Sequence, residues 1–298
     1  MMGSSLTISY TVKDNSKRLR LCDFIPGIFV GLETKSAVKK AIKKGQIFVN
    51  SHVASTANIV VQGDEIVWLK PVVENKRIFS INLKVIYEDD YLAVIFKPAG
   101  IVVNGNLFRC IENALPAVLK SSSQADALPF PLAVHRLDGL TSGLLITAKT
   151  YGVHRALGAQ LQNKTISKEY TAVVMGKPNL NGEWNWDIDN KKSQTYYKVV
   201  QTWPSLRSKH LSLIKLYPTT GRTHQLRIHC SKAGFPILGD TLYGKPGHIL
   251  KHKGMFLCAT GLIFNHPFTN QVLNLSVDPP RKFINFPTAE QRRFVKYQ

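Results

Sequence analysis

The sequence predicts an α+β protein: a large domain built on a mixed, mainly antiparallel sheet, with a small α/β domain ahead of it. Three observations lead there. Short apolar and β-branched runs recur between residues 91 and 277, with only three helix-length stretches among them. A lysine-rich amphipathic helix and a compact hairpin stand apart in the first 70 residues, before a charged stretch containing Pro71. The 298 residues, 44% of them hydrophobic, exceed the usual single-core size and supply apolar side chains for two cores.

Residues 1–16 read as an N-terminal extension and residues 17–69 as the small domain. Residues 18–25 carry a helix-like pattern. Residues 34–45 form a second helix, with Thr34 or Ser36 as cap and Gly45 as stop. Ala37, Val38, Ala41 and Ile42 make its apolar stripe, while Lys35, Lys39, Lys40, Lys43 and Lys44 load the other side. A charge run is ordinarily a solvated face. Five lysines beside a hairpin also suit a phosphate backbone. Residues 46–53 read as that hairpin, and 60–68 as a further strand pair.

Residues 70–83 then form a linker, and residues 84–283 the large domain. Strands are expected at 91–96, 132–135, 144–148, 169–175, 195–201, 211–217, 255–264 and 272–277. Helices are expected at 111–120, 152–162 and 223–233, the last capped by Thr223. Residues 121–126 form a surface loop, and residues 284–298 a basic C-terminal tail.

Charge points to a polyanionic partner. The net formal charge is +20, from 39 Lys and Arg against 19 Asp and Glu. Between Lys191 and Gly254 stand twelve Lys or Arg and a single acid, Asp240. Charge by itself does not separate nucleic acid from an anionic membrane. Cys22, Cys110, Cys230 and Cys258 are widely spaced, which indicates neither a zinc site nor a disulfide framework. His248 and His252 have helical spacing but no accompanying carboxylate or cysteine, so they read as solvated surface rather than metal ligands. With no apolar window near the ~18–20 residues of a membrane span and no signal-peptide core, the expectation is a reduced, cytoplasmic, soluble monomer.

One run carries the chemistry. His135-Arg136-Leu137-Asp138-Gly139-Leu140-Thr141-Ser142-Gly143 places a lone carboxylate in a basic, small-residue turn between two apolar strands. A loop anchored at both ends by strands is a usual seat for catalytic groups. Equally, Asp138 reads as a turn aspartate satisfied by the amides or hydroxyls of Thr141 and Ser142.

This run resembles the signature of the RluA-type pseudouridine synthases, and three further segments match in the family's order. Residues 85–100, ending Phe96-Lys97-Pro98-Ala99-Gly100, are similar to its opening strand and turn. Lys168-Glu169-Tyr170 resembles its tyrosine motif. Gly221-Arg222-Thr223-His224-Gln225-Leu226-Arg227, with Gly239-Asp240 and Tyr243-Gly244 beyond it, resembles its arginine motif. Residues 17–69 resemble the S4-like RNA-binding domain that often precedes such enzymes, although residues 27–33 depart from its usual form.

The resemblance implies a pseudouridine synthase fold and a cofactor-free, metal-free isomerisation of specific uridines in ribosomal or transfer RNA. By residue-to-residue match Asp138 is the nucleophile, Arg227 its ion-pair partner, and Tyr170 the ring against the uracil. Arg222 becomes a backbone or phosphate contact, and Arg136 fills the gap left by the extruded base. Cys258 stands where the family often has histidine. Lys192-Ser193-Gln194-Thr195 resembles a further family segment to which no catalytic role is assigned.

Two rivals remain at this point. An RNA-binding protein with a relic site would need none of the three residue types. A carboxylate-dependent glycosidase would need a second acid, for which Asp240 and Asp89 are available.

Overall fold

The computed structural model describes residues 5–13, 18–71, 77–245, 250 and 253–297. It forms two units, Met1–Arg77 and Ile78–Gln298. His248 and His252 lie outside the described residues.

The first unit is a four-stranded antiparallel sheet with two helices. Its strands are β1 (Ser5–Thr11), β2 (Ile47–Val49), β3 (His52–Val53) and β4 (Glu65–Pro71), in the order β1-β4-β2-β3. Its helices are α1 (Leu21–Phe24) and α2 (Lys35–Lys43). Residues 5–11, expected within an extension, instead pair with β4 from Leu6↔Lys70 to Thr11↔Glu65. The alternation explains this, because Ile8 and Tyr10 pack on the core while Thr7 and Ser9 stay off it. Helix α1 is shorter than expected, the chain turning at Gly27 with φ +90°.

Helix α2 follows its sequence signals. Thr34 Oγ1 accepts from the Ala37 amide at 3.1 Å, and Gly45 ends the helix at φ +64°. Val38, Ala41 and Ile42 are buried with Leu21, Ile25, Ile47 and Ile66. In the hairpin, Asn50 and Ser51 both take positive φ, as a tight two-residue turn requires. Asn50 Nδ2 donates to Asp64 at 2.8 Å, tying that turn to the one before β4.

The second unit is built on ten described strands. In chain order these are β5 (Lys84–Glu88), β6 (Leu92–Lys97), β7 (Ala127–Ala133), β8 (Ser142–Thr150), β9 (Ser167–Met175), β10 (Asn181–Trp184), β11 (Thr195–Ser205), β12 (Lys209–Pro218), β13 (Leu257–Asn265) and β14 (Val272–Ser276). They run β10-β11-β12-β9-β13-β8-β6-β5, with β14 on β13 and β7 on β8. Among the described strands only β8 and β13 pair in parallel, so the sheet is mixed and mainly antiparallel. Helices α3 (Ile111–Val118), α4 (Tyr151–Gln162), α5 (Gln225–Lys232) and α6 (Lys282–Tyr297) complete it.

Two boundaries differ from the sequence reading. Within residues 70–83, Phe79, Ile81 and Leu83 pack into the second unit's core, and the Phe79 amide donates to the Asn113 carbonyl at 2.9 Å. The expected basic tail is helix α6, which buries Phe283 and Glu290 while Arg293 pairs with Glu290 at 3.0 Å. Its apolar residues recur at helical spacing, and Phe283 and Phe286 both pack on Phe256.

The centre of the sheet depends on one glycine. Gly143 opens β8 at φ +120° beside Ala259 of β13. A Cβ there would lie 2.2 Å from the Ala259 carbonyl oxygen. That close approach seats the parallel pair and fixes the chain five residues after Asp138. No helix among the described residues is long and apolar enough to cross a membrane.

Candidate active site

Asp138 lies on the loop between β7 and β8, and that loop is anchored on both sides. The Val134 amide donates to the Ile146 carbonyl at 3.0 Å, and His135 Nε2 accepts from the Ile146 amide at 3.1 Å. Burial holds the His135 ring neutral, pushing it down to about 4. Leu137 is buried in the core. On the far side, the Gly139 carbonyl accepts from the Gly100 amide at 2.7 Å and from Lys97 Nζ at 3.2 Å.

Lys97 is fully buried, and its ammonium also donates to the carbonyls of Pro98 and Ile101. Burial lowers its pKa to about 8, with the Asp138 charge opposing the fall. The lysine of the opening motif therefore clamps the backbone directly behind Asp138.

The turn itself does not consume the carboxylate. The Thr141 amide donates to the Asp138 carbonyl at 3.0 Å, not to its side chain. Among the described residues, buried Thr141 Oγ1 finds no hydrogen-bond partner. The Asp138 side chain, 20% exposed, faces Arg227 Nη1 at 3.5 Å and His224 Nε2 at 3.8 Å. Both distances are longer than a short hydrogen bond.

Arg227 is held chiefly by another residue. Its Nε and Nη2 donate to the two oxygens of Asp240 at 2.7 and 2.8 Å, a buried two-point pair. The Tyr243 ring lies 5.0 Å from the guanidinium. Burial alone would lower the Arg227 pKa; the carboxylates of Asp240 and then Asp138 raise it. Asp240 is in turn fixed by the amides of Leu242 and Tyr243 at 3.0 and 3.1 Å. From sequence this acid stood beyond the arginine motif and as an available second acid, not as the partner of Arg227. Its lone position in a basic stretch was the available signal.

The helix carrying Arg227 starts differently from expectation. Helix α5 begins at Gln225, and His224 precedes it at φ +55° without a side-chain cap. Thr223 is not the cap, because the Gln225 side chain closes the turn. Its Oε1 accepts from the Arg222 amide and from Thr220 Oγ1, while its Nε2 donates to the Gln194 carbonyl at 2.9 Å. Buried His229 places Nδ1 3.0 Å from Thr195 Oγ1 and Nε2 3.0 Å from Ser193 Oγ. The segment Lys192-Ser193-Gln194-Thr195, without an assigned role from sequence, thus seats α5.

These groups open on one cleft of about 790 Å³. Its walls include Arg136, Asp138, Thr141, Lys164, Lys168, Tyr170, Arg222, His224 and Arg227. Burial and the Asp138 charge push the Tyr170 phenol far above its ordinary value, so it stays protonated. Arg136 is exposed, and Arg222 Nε donates to the Lys192 carbonyl at 3.2 Å. The two alternative acids are otherwise engaged. Asp240 is committed to Arg227, and Asp89 binds Tyr87, His266 and the amides of Tyr91 and Leu92.

The RNA pseudouridylate synthase family model matches residues 91–232, a span containing Asp138, Tyr170 and Arg227. A ribosomal large subunit pseudouridine synthase D from Nitrosomonas europaea is 32% identical over 294 residues, covering 90% of this chain and 83% of that protein. The chain belongs to the RNA pseudouridylate synthase family. A ribosomal large subunit pseudouridine synthase C from Rickettsia bellii is 32% identical, covering 85% and 92%. An uncharacterised RNA pseudouridine synthase from Bacillus subtilis is 33% identical, covering 83% and 86%. Among solved structures, human RNA pseudouridylate synthase domain containing 4 superposes with a TM-score of 0.56 at 24% identity, over 70% of this chain and 93% of that one. The chain is thus an α+β pseudouridine synthase, an isomerase acting on uridine in RNA.

For such an enzyme the cleft has suitable chemistry. A partly exposed carboxylate, a buried cation held beside it, a protonated phenol and several further cations converge on one space. The lysines of α2 belong to the first unit. Lys35 is already paired there, with Asp23 at 2.6 Å; among the described residues Lys39, Lys40, Lys43 and Lys44 show no such pair.

Proposed function

We propose that this synthase isomerises specific uridines of ribosomal RNA, with Asp138 as the nucleophile on an extruded uridine. One observation carries the reading: the Asp138 carboxylate, unclaimed by its own turn, faces the cleft between Arg227 and His224. The names of the similar large-subunit synthases support ribosomal RNA over transfer RNA.

The chemistry follows from what must move. The bond between N1 and C1′ breaks, the uracil turns, and C5 bonds to C1′; C5 then loses its proton and N1 carries one. Extruding the base costs a few kcal/mol, which stacking and phosphate contacts offset. Asp138 attacks as the ionised acid and leaves again. Arg227, fixed by Asp240, favours the ionised form and aims it. Tyr170 holds the detached ring, its phenol kept protonated by burial and by the Asp138 charge. Arg136 occupies the space vacated in the RNA, and Arg222 meets a phosphate.

The first unit acts as an S4-like RNA-binding domain through Lys39, Lys40 and Lys43 of α2 and Lys44 at its C-terminal cap, with Lys35 contributing once released from Asp23. The enzyme works in the cytoplasm as a monomer, without metal or cofactor. Replacing Asp138→Asn tests the central assignment. Pseudouridine formation is expected to fall at least ~10³-fold, with RNA affinity near wild type. Turnover surviving in that variant removes Asp138 from the nucleophile role.

A further inference from the structure

The cleft is larger than one uracil requires. At about 790 Å³ it lies high in the ~300–1,000 Å³ range of sites that enclose drug-sized ligands. Beyond Asp138 its wall continues to Tyr196 of β11 and Tyr217 of β12. The two residues are direct partners across the β11–β12 ladder, so their side chains leave the same face of the sheet. They are 43% and 38% exposed, among the large apolar residues this unit leaves in solvent. Tyr197, one residue on, points the other way; it is buried and stacked on Trp184 at 4.4 Å.

Both exposed rings are held in place at their hydroxyls. Tyr196 accepts from Gln194 Nε2 at 2.8 Å, and Tyr217 donates to Glu169 at 3.2 Å. The nearby acids are themselves engaged, Glu169 by Lys215 and Glu183 by Gln194 Nε2 at 3.1 Å. The same cleft is also lined by Lys164, Lys168 and Arg222. Anchored, partly exposed phenol rings on the wall of a cleft that also carries cations match what an unpaired nucleotide needs: a stacking surface and phosphate charge.

We propose that Tyr196 and Tyr217 form a stacking platform for the unpaired base next to the target uridine. This rests on the reading that the cleft receives an extruded uridine. A flanking base held here keeps the strand open beside the reacting nucleotide, so the platform favours uridines in loops over those in continuous helix.

The test uses the full chain and an unmodified transcript of large-subunit ribosomal RNA. Tyr196→Ala and Tyr217→Ala are expected to raise KM between about fivefold and a hundredfold, the value of one missing base stack, with the effect falling mainly on KM. Tyr196→Phe and Tyr217→Phe keep the ring and are expected to stay near wild type. The same transcript carrying 5-bromouridine, irradiated with the wild-type enzyme, is expected to cross-link at Tyr196 or Tyr217. Unchanged KM in both alanine variants overturns the platform. So do phenylalanine variants as impaired as the alanine ones, or the absence of adducts at both rings. The cross-link is read without turnover and without any variant that must fold. A wild type that cross-links at these rings yet makes no pseudouridine sinks the isomerase reading and leaves the platform standing.

Discussion

Asp138 faces a guanidinium that a second acid, Asp240, holds in place. Asp240 fixes two nitrogens of Arg227, leaving Nη1 directed at Asp138. Replacing Asp240→Asn leaves a buried guanidinium short of one charge, and breaking such a pair typically costs about 3–5 kcal/mol. We expect a lower Tm by calorimetry and a fall in kcat; an unchanged kcat would deny Asp240 its positioning role. His135 supplies a pH signature. Its folded value of about 4 lies below the ordinary 6.5, so the unfolded chain binds more protons between those values. The stability contributed by the neutral ring is full above pH 6.5 and declines as pH falls toward 4. Its ring signal in NMR should titrate near 4, and His135→Gln should flatten the stability slope in that window; a midpoint near 6.5 contradicts this. The motif match carried Asp138, Tyr170 and Arg227 from the sequence. Asp240 and Lys97 were hidden because their roles are made by bonds across 13 and 42 residues of chain, which no local pattern encodes.

At the level of elements, the loop holding Asp138 ends where β8 packs against β13. Gly143→Ala places a methyl group on the Ala259 carbonyl, in a backbone conformation that alanine rarely adopts. The expected result is a loss of several kcal/mol in chemical denaturation, with kcat falling in whatever folds. A variant of wild-type stability would show that the strands do not meet there. Periodicity found most strands and the three helices nearest the site. It missed β5 and β10, and also β1 and α6, whose residues look like polar termini until Ile8, Tyr10, Phe283 and Phe286 are seen against a core. It also misread the start of α5, since the side chain of Gln225 closes that turn in place of Thr223. That substitution of one closing group for another leaves no trace in composition.

Across the molecule, the excess of twenty positive charges sets the response to salt. Changing Lys39, Lys40, Lys43 and Lys44 to Gln should weaken RNA binding and flatten the dependence of log K on log salt by ~0.7–0.9 for each phosphate no longer neutralised. Lys35→Gln should have a smaller effect, because Asp23 already holds that ammonium; an equal or larger effect contradicts this ordering. The two-unit plan was legible from the shift at Pro71, although the last part of the supposed linker proved to be core of the second unit. The central claim is that Asp138 drives an exchange of the C1′ bond from N1 to C5. It is tested most directly by tritium release from large-subunit ribosomal RNA labelled at uridine C5, comparing wild type with Asp138→Ala. Release by the wild type, matched mole for mole by new pseudouridine, and none by the variant is the expected result. Equal release from both would contradict it.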